Sequence, residues 1–187
     1  EVMLSLFDRH GVEAAVPRLA GMFAIAVWDL QEHVLWLARD RMGEKPLYYG
    51  QFGETFAFAS ELKALRCLSN CPTTIDHMAI CDVLERGVIR CTRSILSGIT
   101  KLPPGSLLRI SRDGPTVHTQ PSRYWTVQGV LNRVQKGSPH APSTKSEAID
   151  ALDTLLCQVV GEEAQADVPV GAFLSGGIDS SLIVALM

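Results

Sequence analysis

The stretch from Asp167 to Met187 constrains the fold of this chain more than any other part of the sequence. Its first part, Val168 to Leu174, is almost entirely apolar, as is typical of a strand buried on both faces of a parallel sheet. A Ser-Gly-Gly turn follows, and the next three residues are good helix starters ahead of a second apolar run. The stretch therefore predicts a strand, a sharp turn and a helix in succession.

A strand, a glycine-rich turn and a helix N-terminus together suit an anion. Unpaired backbone N–H groups and the positive end of the helix dipole meet at such a turn, and phosphate is the anion that the arrangement favours. The turn is not the phosphate-binding loop of the Gly-x-x-x-x-Gly-Lys-Ser/Thr type, because it contains no lysine. An ordinary junction, with glycines for backbone geometry alone, is the alternative.

Length and charge exclude several classes of protein. A chain of 187 residues can form one large domain or two modest ones. The net charge is −3 and the basic residues are scattered, so we expect neither a nucleic-acid partner nor a membrane partner. No apolar run approaches the ~20 residues of a membrane span, and the N-terminus lacks the layout of a signal peptide.

The cysteines indicate a reducing compartment. Their odd number, in a chain too large to depend on disulfides, predicts a cytoplasmic protein with free, mostly structural thiols. Cys67, Cys71 and His77 match no common zinc spacing. The five cysteines are Cys67, Cys71, Cys81, Cys91 and Cys157.

The first two thirds of the chain have the pattern of an α+β fold. Short apolar runs separated by tight turns predict antiparallel strands, and we expect the aromatic residues among them to lie in the core. Those residues are Phe23, Trp28, Trp36, Tyr48 and Tyr49. Strands are predicted at 21–28, 34–38, 45–50 and 55–60, and helices at 1–10, 12–19, 61–68 and 75–87. The range 101–111 predicts a turn followed by a strand, which could pair with 116–119 across Asp113-Gly114. For the helix at 75–87, Asp76 is the candidate N-cap and Gly87 the terminator.

The remainder predicts a change of fold class from α+β to α/β. Prolines, glycines and small polar residues after residue 120 indicate a linker. A long amphipathic helix over 146–164 then leads into the predicted strand. We therefore divide the chain into domains at 1–120 and 146–187, joined by a linker at 121–145.

Two sets of motifs carry a resemblance to a known family. Ser175-Gly-Gly-Ile-Asp-Ser180 resembles the pyrophosphate-binding loop of ATP pyrophosphatases. Three stretches upstream resemble the second half of a class II glutamine amidotransferase domain: LAGMFAIAVWD at 19–29, LARDRMGEKPLYY at 37–49 and FASELKAL at 58–65. In this order the motifs are similar to those of glutamine-hydrolysing asparagine synthetases.

The resemblance implies a fold and a site. It implies the C-terminal half of an N-terminal-nucleophile αββα glutaminase domain, joined to the first strand and helix of a Rossmann-like ATP-pyrophosphatase domain. It further implies ATP and Mg²⁺, with Asp179 on the metal. The residues expected to contact ATP are Leu174, Ser175, Gly176, Gly177, Asp179 and Ser180.

The resemblance also implies a reaction. Glutamine would supply ammonia, and aspartate would be activated by ATP as an adenylate and converted to asparagine, with AMP and pyrophosphate released. The family's nucleophile is an N-terminal cysteine, and residue 1 is Glu1, so we assign no catalytic residue in this chain. We expect a fragment, incomplete at both ends and inactive alone; a homodimer stays open.

Other interpretations remain at this stage. A related amidotransferase could act on another carboxylate in polysaccharide or natural-product synthesis, and the chain could be a non-catalytic module or a plain nucleotide-binding module. Arg39, Asp40 and Arg41 are predicted to brace the turn at Gly43. Glu61 and Lys63 fit either an interface pair or a solvated helix end.

Overall fold

The computed structural model describes residues 1–90, 92–113, 116–135 and 142–187. The chain divides into two compact units, Glu1–Gly129 and Val130–Met187, which we describe separately. The elements, in chain order, are α1 (Val2–His10), α2 (Val12–Ala15), a 3-10 turn (Val16–Arg18), β1 (Ala24–Asp29), β2 (Val34–Arg39), β3 (Tyr48–Phe52), β4 (Thr55–Ala59), α3 (Leu62–Leu65), α4 (His77–Arg86), β5 (Thr100–Lys101), β6 (Ser106–Asp113), β7 (Thr116–Arg123), α5 (Val127–Gln135), α6 (Lys145–Glu163) and α7 (Ile178–Leu186).

The first unit contains two antiparallel sheets, as the short alternating strands predict. The larger sheet has the order β1-β2-β6-β7, and the smaller has the order β4-β3-β5. The β1–β2 hairpin pairs Ala24 with Arg39 and Asp29 with Val34. The predicted pairing of β6 with the strand after it is confirmed, although Gly114 of the turn between them lies outside the described residues.

The core of this unit lies on both faces of the larger sheet, because successive side chains of a strand point to opposite faces. On one face, Leu37 and Leu108 pack with Leu47 and Leu102 from the side of the smaller sheet. On the other face, Ala38 and Leu107 pack with Val16, next to α1 and α2. A third cluster places α3 on the far side of the smaller sheet, through Phe52, Leu65 and Ile99.

The resulting order is helices, sheet, sheet and helix, so the prediction of a mixed fold with antiparallel sheets is confirmed. The finer assignment, to the N-terminal-nucleophile class, remains a prediction. Two strand starts differ from the sequence pattern: β1 begins at Ala24 rather than at residue 21, and β3 begins at Tyr48 rather than at residue 45.

The prediction that Trp28 belongs to the core is wrong. Its side chain is 53% exposed, whereas Phe23, Trp36, Tyr48 and Tyr49 are all half-buried. Trp28 lies on β1, which is an edge strand of its sheet, close to the turn of the hairpin. An edge strand has one neighbour instead of two, so a residue near its end is covered from fewer directions; the ring of Trp28 lies 6.4 Å from that of His33.

The second unit is built around α6, which begins at a capping box. The Thr144 hydroxyl accepts a hydrogen bond from the backbone N–H of Glu147, and the Glu147 carboxylate accepts one from the backbone N–H of Thr144. Val160 is buried in this helix, while Ile149, Leu152 and Leu155 are exposed. None of the described helices is both long enough and apolar enough to cross a membrane.

Candidate functional site

The segment before the glycine-rich turn does not form the predicted strand. Residues 168–174 have no strand partner among the described residues, and Phe173 and Leu174 are 98% and 63% exposed. A strand buried on both faces needs neighbours on both sides for its backbone hydrogen bonds and side-chain contacts. The described part of 130–187 contains no strand, so the apolar run has no sheet to join and remains exposed.

The predicted sharp turn and the helix after it are both present, and the turn contains a left-handed glycine. Gly176 has φ +81°, a conformation that residues with a side chain rarely adopt. Gly177 caps α7, and its carbonyl accepts the first hydrogen bond of the helix, from the N–H of Ser181 at 3.1 Å. The N–H groups of the first turn have no acceptor inside a helix, and they point out of its N-terminus.

The two serines of the motif meet across the turn. The hydroxyl oxygens of Ser175 and Ser180 are 2.8 Å apart, and the Ser180 hydroxyl also donates to the carbonyl of Gly177 at 3.1 Å. A hydroxyl has one proton to donate, so Ser180 accepts from Ser175 in this arrangement. Both hydroxyls can therefore reach the same ligand at the mouth of the turn.

Asp179 lies in the first turn of α7 and is exposed. A carboxylate is stabilised there by the helix dipole, and it is a hard oxygen ligand of the type that Mg²⁺ prefers. The described residues contain no group of three histidine, cysteine, aspartate or glutamate side chains that could hold a metal ion. A magnesium ion on Asp179 would therefore take its other ligands from phosphate oxygens and water.

The turn leaves room for a phosphate group. A Cβ atom built on Gly176 would have no atom within 4 Å, so a ligand can approach the backbone closely from that side. The open backbone, the paired hydroxyls and the single carboxylate fit a magnesium–pyrophosphate ligand. The structure thus brings together, around one turn, the residues from Ser175 to Ser180 that the sequence singles out.

Arg39 braces the turn at Gly43, as predicted, but it does so through backbone carbonyls. Its guanidinium donates to the carbonyl of Lys45 at 2.7 Å, to that of Leu102 at 2.6 Å and to that of Gly43 at 2.5 Å. Three acceptors around one planar group fix the path of the chain between β2 and β3. The prediction of a bracing role is confirmed for Arg39, whereas the Arg41 guanidinium donates to the carbonyl of Pro17 and not to this turn.

Asp40 is the second brace, and it is buried. Its carboxylate accepts hydrogen bonds from the backbone N–H groups of Met42, Glu44 and Lys45 at 3.0–3.1 Å. Burial raises the pKa of Asp40, but the backbone donors, with Lys45 and Glu44 foremost, outweigh it and leave the pKa below its ordinary value. Asp40 is thus an ionised anchor for the turn.

The structure also places the Glu61–Lys63 pair and four of the five cysteines. Lys63 and Glu61 form an ion pair at 2.6 Å with 81% and 58% of their side chains exposed, which favours the solvated helix end. Cys67, Cys71, Cys81 and Cys157 are free thiols. Cys91 lies outside the described residues.

Sequence reasoning missed a contact between the end of β7 and the end of β2. The Tyr124 hydroxyl donates to the carbonyl of Arg39 at 2.7 Å, and the N–H groups of Tyr124 and Trp125 both donate to the carbonyl of Gly105. These residues are more than 80 positions from Arg39, and no periodicity links them. The aromatic pair directly after a strand is the one local signal that could have drawn attention to it.

Two family models match this chain. The model described as a glutamine amidotransferase domain matches residues 1–125, and the model described as asparagine synthase matches residues 151–187. The second match contains the whole glycine-rich turn and α7.

Curated relatives from Bacillus subtilis (strain 168) match nearly the whole chain. Asparagine synthetase [glutamine-hydrolyzing] 3 is 34% identical over 175 residues, which is 93% of this chain and 26% of that protein. The synthetase numbered 1 is 36% identical over 188 residues, covering 100% of this chain and 27% of that protein. The synthetase numbered 2 is 34% identical over 98% of this chain and 24% of that protein. The chain thus spans about a quarter of the length of these relatives.

Proposed function

Because the chain belongs to the family of glutamine-hydrolysing asparagine synthetases, we propose that its protein is a glutamine-dependent amidotransferase that converts aspartate to asparagine with ATP. The observation that carries the proposal is the turn from Ser175 to Ser180 at the N-terminus of α7, inside the region that matches the asparagine synthase model. An anion-binding turn at that position suits the pyrophosphate part of ATP.

The residues of the turn have distinct roles in this proposal. The backbone N–H groups at Gly176 and Gly177, with the hydroxyls of Ser175 and Ser180, hold pyrophosphate oxygens. Asp179 holds Mg²⁺, which when bound neutralises charge on the phosphates. The Ser175 proton, now directed at Ser180, and the Ser180 proton, now directed at the carbonyl of Gly177, both turn toward the ligand when pyrophosphate oxygens arrive. Leu174 precedes the turn and contacts the nucleotide.

The proposed reaction has two steps whose atoms balance. A β-carboxylate oxygen of aspartate attacks the α-phosphorus of ATP, and pyrophosphate leaves. Ammonia, released from glutamine, then attacks the acyl carbon, and AMP leaves to give asparagine. Donors fixed around the departing pyrophosphate stabilise the charge that develops on it in the first step. The turn therefore lowers the activation barrier of adenylation.

The proposal extends to organisation and location. We place the amidotransferase part at 1–120, the linker at 121–145 and the start of the ATP-pyrophosphatase part at 146–187, with a Rossmann-like fold for the last. Strand β7 and helix α5 give parts of 121–135 regular structure, and 136–141 lie outside the described residues. A reducing cytoplasm suits the four free thiols, and a homodimer is compatible with the proposal.

Isotope transfer tests the proposed chemistry. The protein would be incubated with glutamine, ATP, Mg²⁺ and aspartate whose β-carboxylate carries ¹⁸O, and the products would be identified by mass spectrometry. The adenylate route predicts asparagine, pyrophosphate and AMP with one ¹⁸O atom, since the bridging oxygen leaves with AMP.

The alternatives give other products. Label in inorganic phosphate, together with ADP, would contradict the adenylate. Turnover with another carboxylate but not with aspartate would identify a related amidotransferase, and ATP binding without any turnover would identify a nucleotide-binding module. Replacing glutamine by an ammonium salt separates the two parts, because synthesis from ammonia needs only the ATP-dependent one.

A further inference from the structure

A cavity of about 440 Å³ in the first unit is lined by residues that have no role in the reaction proposed above. It lies where the Gly43 turn, Pro104 and the residues after β7 come together. Its lining consists of Arg41, Met42, Pro104, Arg123, Trp125, Thr126, Val127 and Gln128. Cavities of this size, mostly apolar with a few polar groups, are typical of small-molecule sites.

The charge of the lining is one-sided. Arg41 and Arg123 contribute two guanidinium groups, and no aspartate or glutamate is among the lining residues. Neither arginine forms an ion pair with a described acidic residue. The nearby carboxylate of Asp40 is buried and is already surrounded by backbone N–H donors. Two cations without a counterion in one concavity favour an anionic ligand.

Both guanidinium groups have donors to spare. A guanidinium has five N–H donors, and Arg41 uses one of them, toward the carbonyl of Pro17 at 2.9 Å. That hydrogen bond holds Arg41 against the end of the 3-10 turn. The side chain of Arg123 is exposed, and its guanidinium forms no hydrogen bond or ion pair with any described residue, so it is available to a carboxylate or a phosphate.

Apart from Thr126 and Gln128, the remaining lining is apolar, and part of it is held in place. Its apolar residues are Trp125, Met42, Pro104 and Val127. The backbone of Trp125 is fixed by its hydrogen bond to the carbonyl of Gly105, at 3.2 Å. A flat apolar body suits this wall, since rings pack on an indole and on a proline with little loss of freedom.

We propose that this cavity binds a small aromatic anion, with its carboxylate or phosphate group between Arg41 and Arg123 and its ring against Trp125. The site is independent of the ATP-binding turn, so it would exist even if the proposed reaction were wrong.

The experiment uses the full chain and three probes. Benzoate and phenyl phosphate carry the ring and the anion, and benzamide is the neutral counterpart of benzoate. The readout is the indole N–H signal of Trp125 in a ¹H–¹⁵N spectrum, assigned by its loss in Trp125→Phe; the chain has two other tryptophans, Trp28 and Trp36, as internal references.

We expect benzoate or phenyl phosphate to shift the Trp125 signal at millimolar concentration, leaving the other two signals in place, with little response to benzamide. Which anion binds more tightly identifies the ligand class. Arg123→Gln should weaken binding about tenfold or more, because a charge-assisted hydrogen bond is lost. Arg66→Gln removes the same charge from an exposed position outside the cavity and should leave binding unchanged.

Three results would overturn the proposal: no shift of the Trp125 signal with either anion, equal responses to benzoate and benzamide, or equal weakening in Arg123→Gln and Arg66→Gln. Arg41→Gln gives a second test on the other guanidinium, with a thermal melt to show that the variant is folded.

Discussion

Gly105 connects the start of β6 to the residues after β7, and its backbone could not carry a side chain there. It has φ +60°, and a Cβ atom on it would overlap the carbonyl oxygen of Trp125. Gly53 has nearly the same φ, +63°, but nothing lies within 4 Å of its Cβ position. Comparing substitutions at the two glycines therefore separates the energetic cost of a side chain in the left-handed conformation from the cost of its overlap with Trp125.

We predict that Gly105→Ala lowers the free energy of unfolding clearly more than Gly53→Ala. Both substitutions carry the left-handed penalty of about 1–2 kcal/mol, and Gly105→Ala adds about 1–3 kcal/mol for the forced shift of backbone. Urea denaturation of both variants measures the difference. Equal losses would show that the backbone of Trp125 yields freely.

The Tyr124 hydroxyl links the end of β7 to the end of β2 by a hydrogen bond, and its ionisation makes the free energy of unfolding depend on pH. Burial raises the pKa of Tyr124 to about 12, whereas a tyrosine in the unfolded chain ionises near pH ~10. As the pH rises above about 10 the unfolded chain loses this proton first, so the free energy of unfolding falls until about pH 12.

In Tyr124→Phe the decrease in the free energy of unfolding that Tyr124 causes between about pH 10 and pH 12 should disappear. At neutral pH the variant should lose about 0.5–1.5 kcal/mol, because the hydrogen bond to the carbonyl of Arg39 is gone. Denaturation curves at neutral and alkaline pH measure both effects. Parallel pH profiles for the variant and the wild type would contradict the assigned role.

Helix α4 shows how a sequence signal becomes a stable element. Asp76 accepts hydrogen bonds from the N–H groups of Met78 and Ala79, and Gly87 ends the helix at φ +74°. Both ends were predicted from residue type, because capping is a local interaction between neighbours in sequence.

Asp76→Ala should cost about 0.5–2 kcal/mol of stability through loss of the cap. Asp76→Asn is the matched control, since asparagine caps helices about as well as aspartate and removes only the charge. Arg93 lies 3.9 Å from the Asp76 carboxylate, and both side chains are partly open to solvent, at 36% and 27% exposed. A long, partly solvated ion pair contributes little, so the charge itself should matter less than the cap. The same loss in both variants, measured by thermal denaturation, would mean that the charge matters and the cap does not.

Elements that depend on distant partners were the harder ones to predict. The hairpin of β1 and β2 and the helix α6 follow from local patterns, and the structure confirms them. The apolar run 168–174 predicted a buried strand, yet a strand requires neighbours, and none is described in its unit. The exposure of Trp28 likewise depends on its place at a sheet edge, which the composition of β1 does not reveal.

The two candidate sites also differ in how far they could be predicted from the sequence. The turn at 175–180 is contiguous in sequence, so its glycines, serines and aspartate could be selected before any coordinates. The cavity between Arg41 and Arg123 joins residues that meet only because β6 and β7 bring the chain back to the Gly43 turn. No spacing rule predicts such a meeting.

For the whole molecule, the central claim is that the turn at 175–180 holds the pyrophosphate part of ATP during adenylation of aspartate. The most direct test is the aspartate-dependent exchange of labelled pyrophosphate into ATP by the wild-type protein and by the variants Asp179→Ala and Asp167→Ala. Asp167 is an exposed carboxylate upstream of the turn and is the matched control.

We expect exchange in the wild type and in Asp167→Ala, and a loss of about a hundredfold in Asp179→Ala, since a group that stabilises the departing pyrophosphate is removed. Absence of exchange in the wild type, or equal exchange in the two variants, would contradict it.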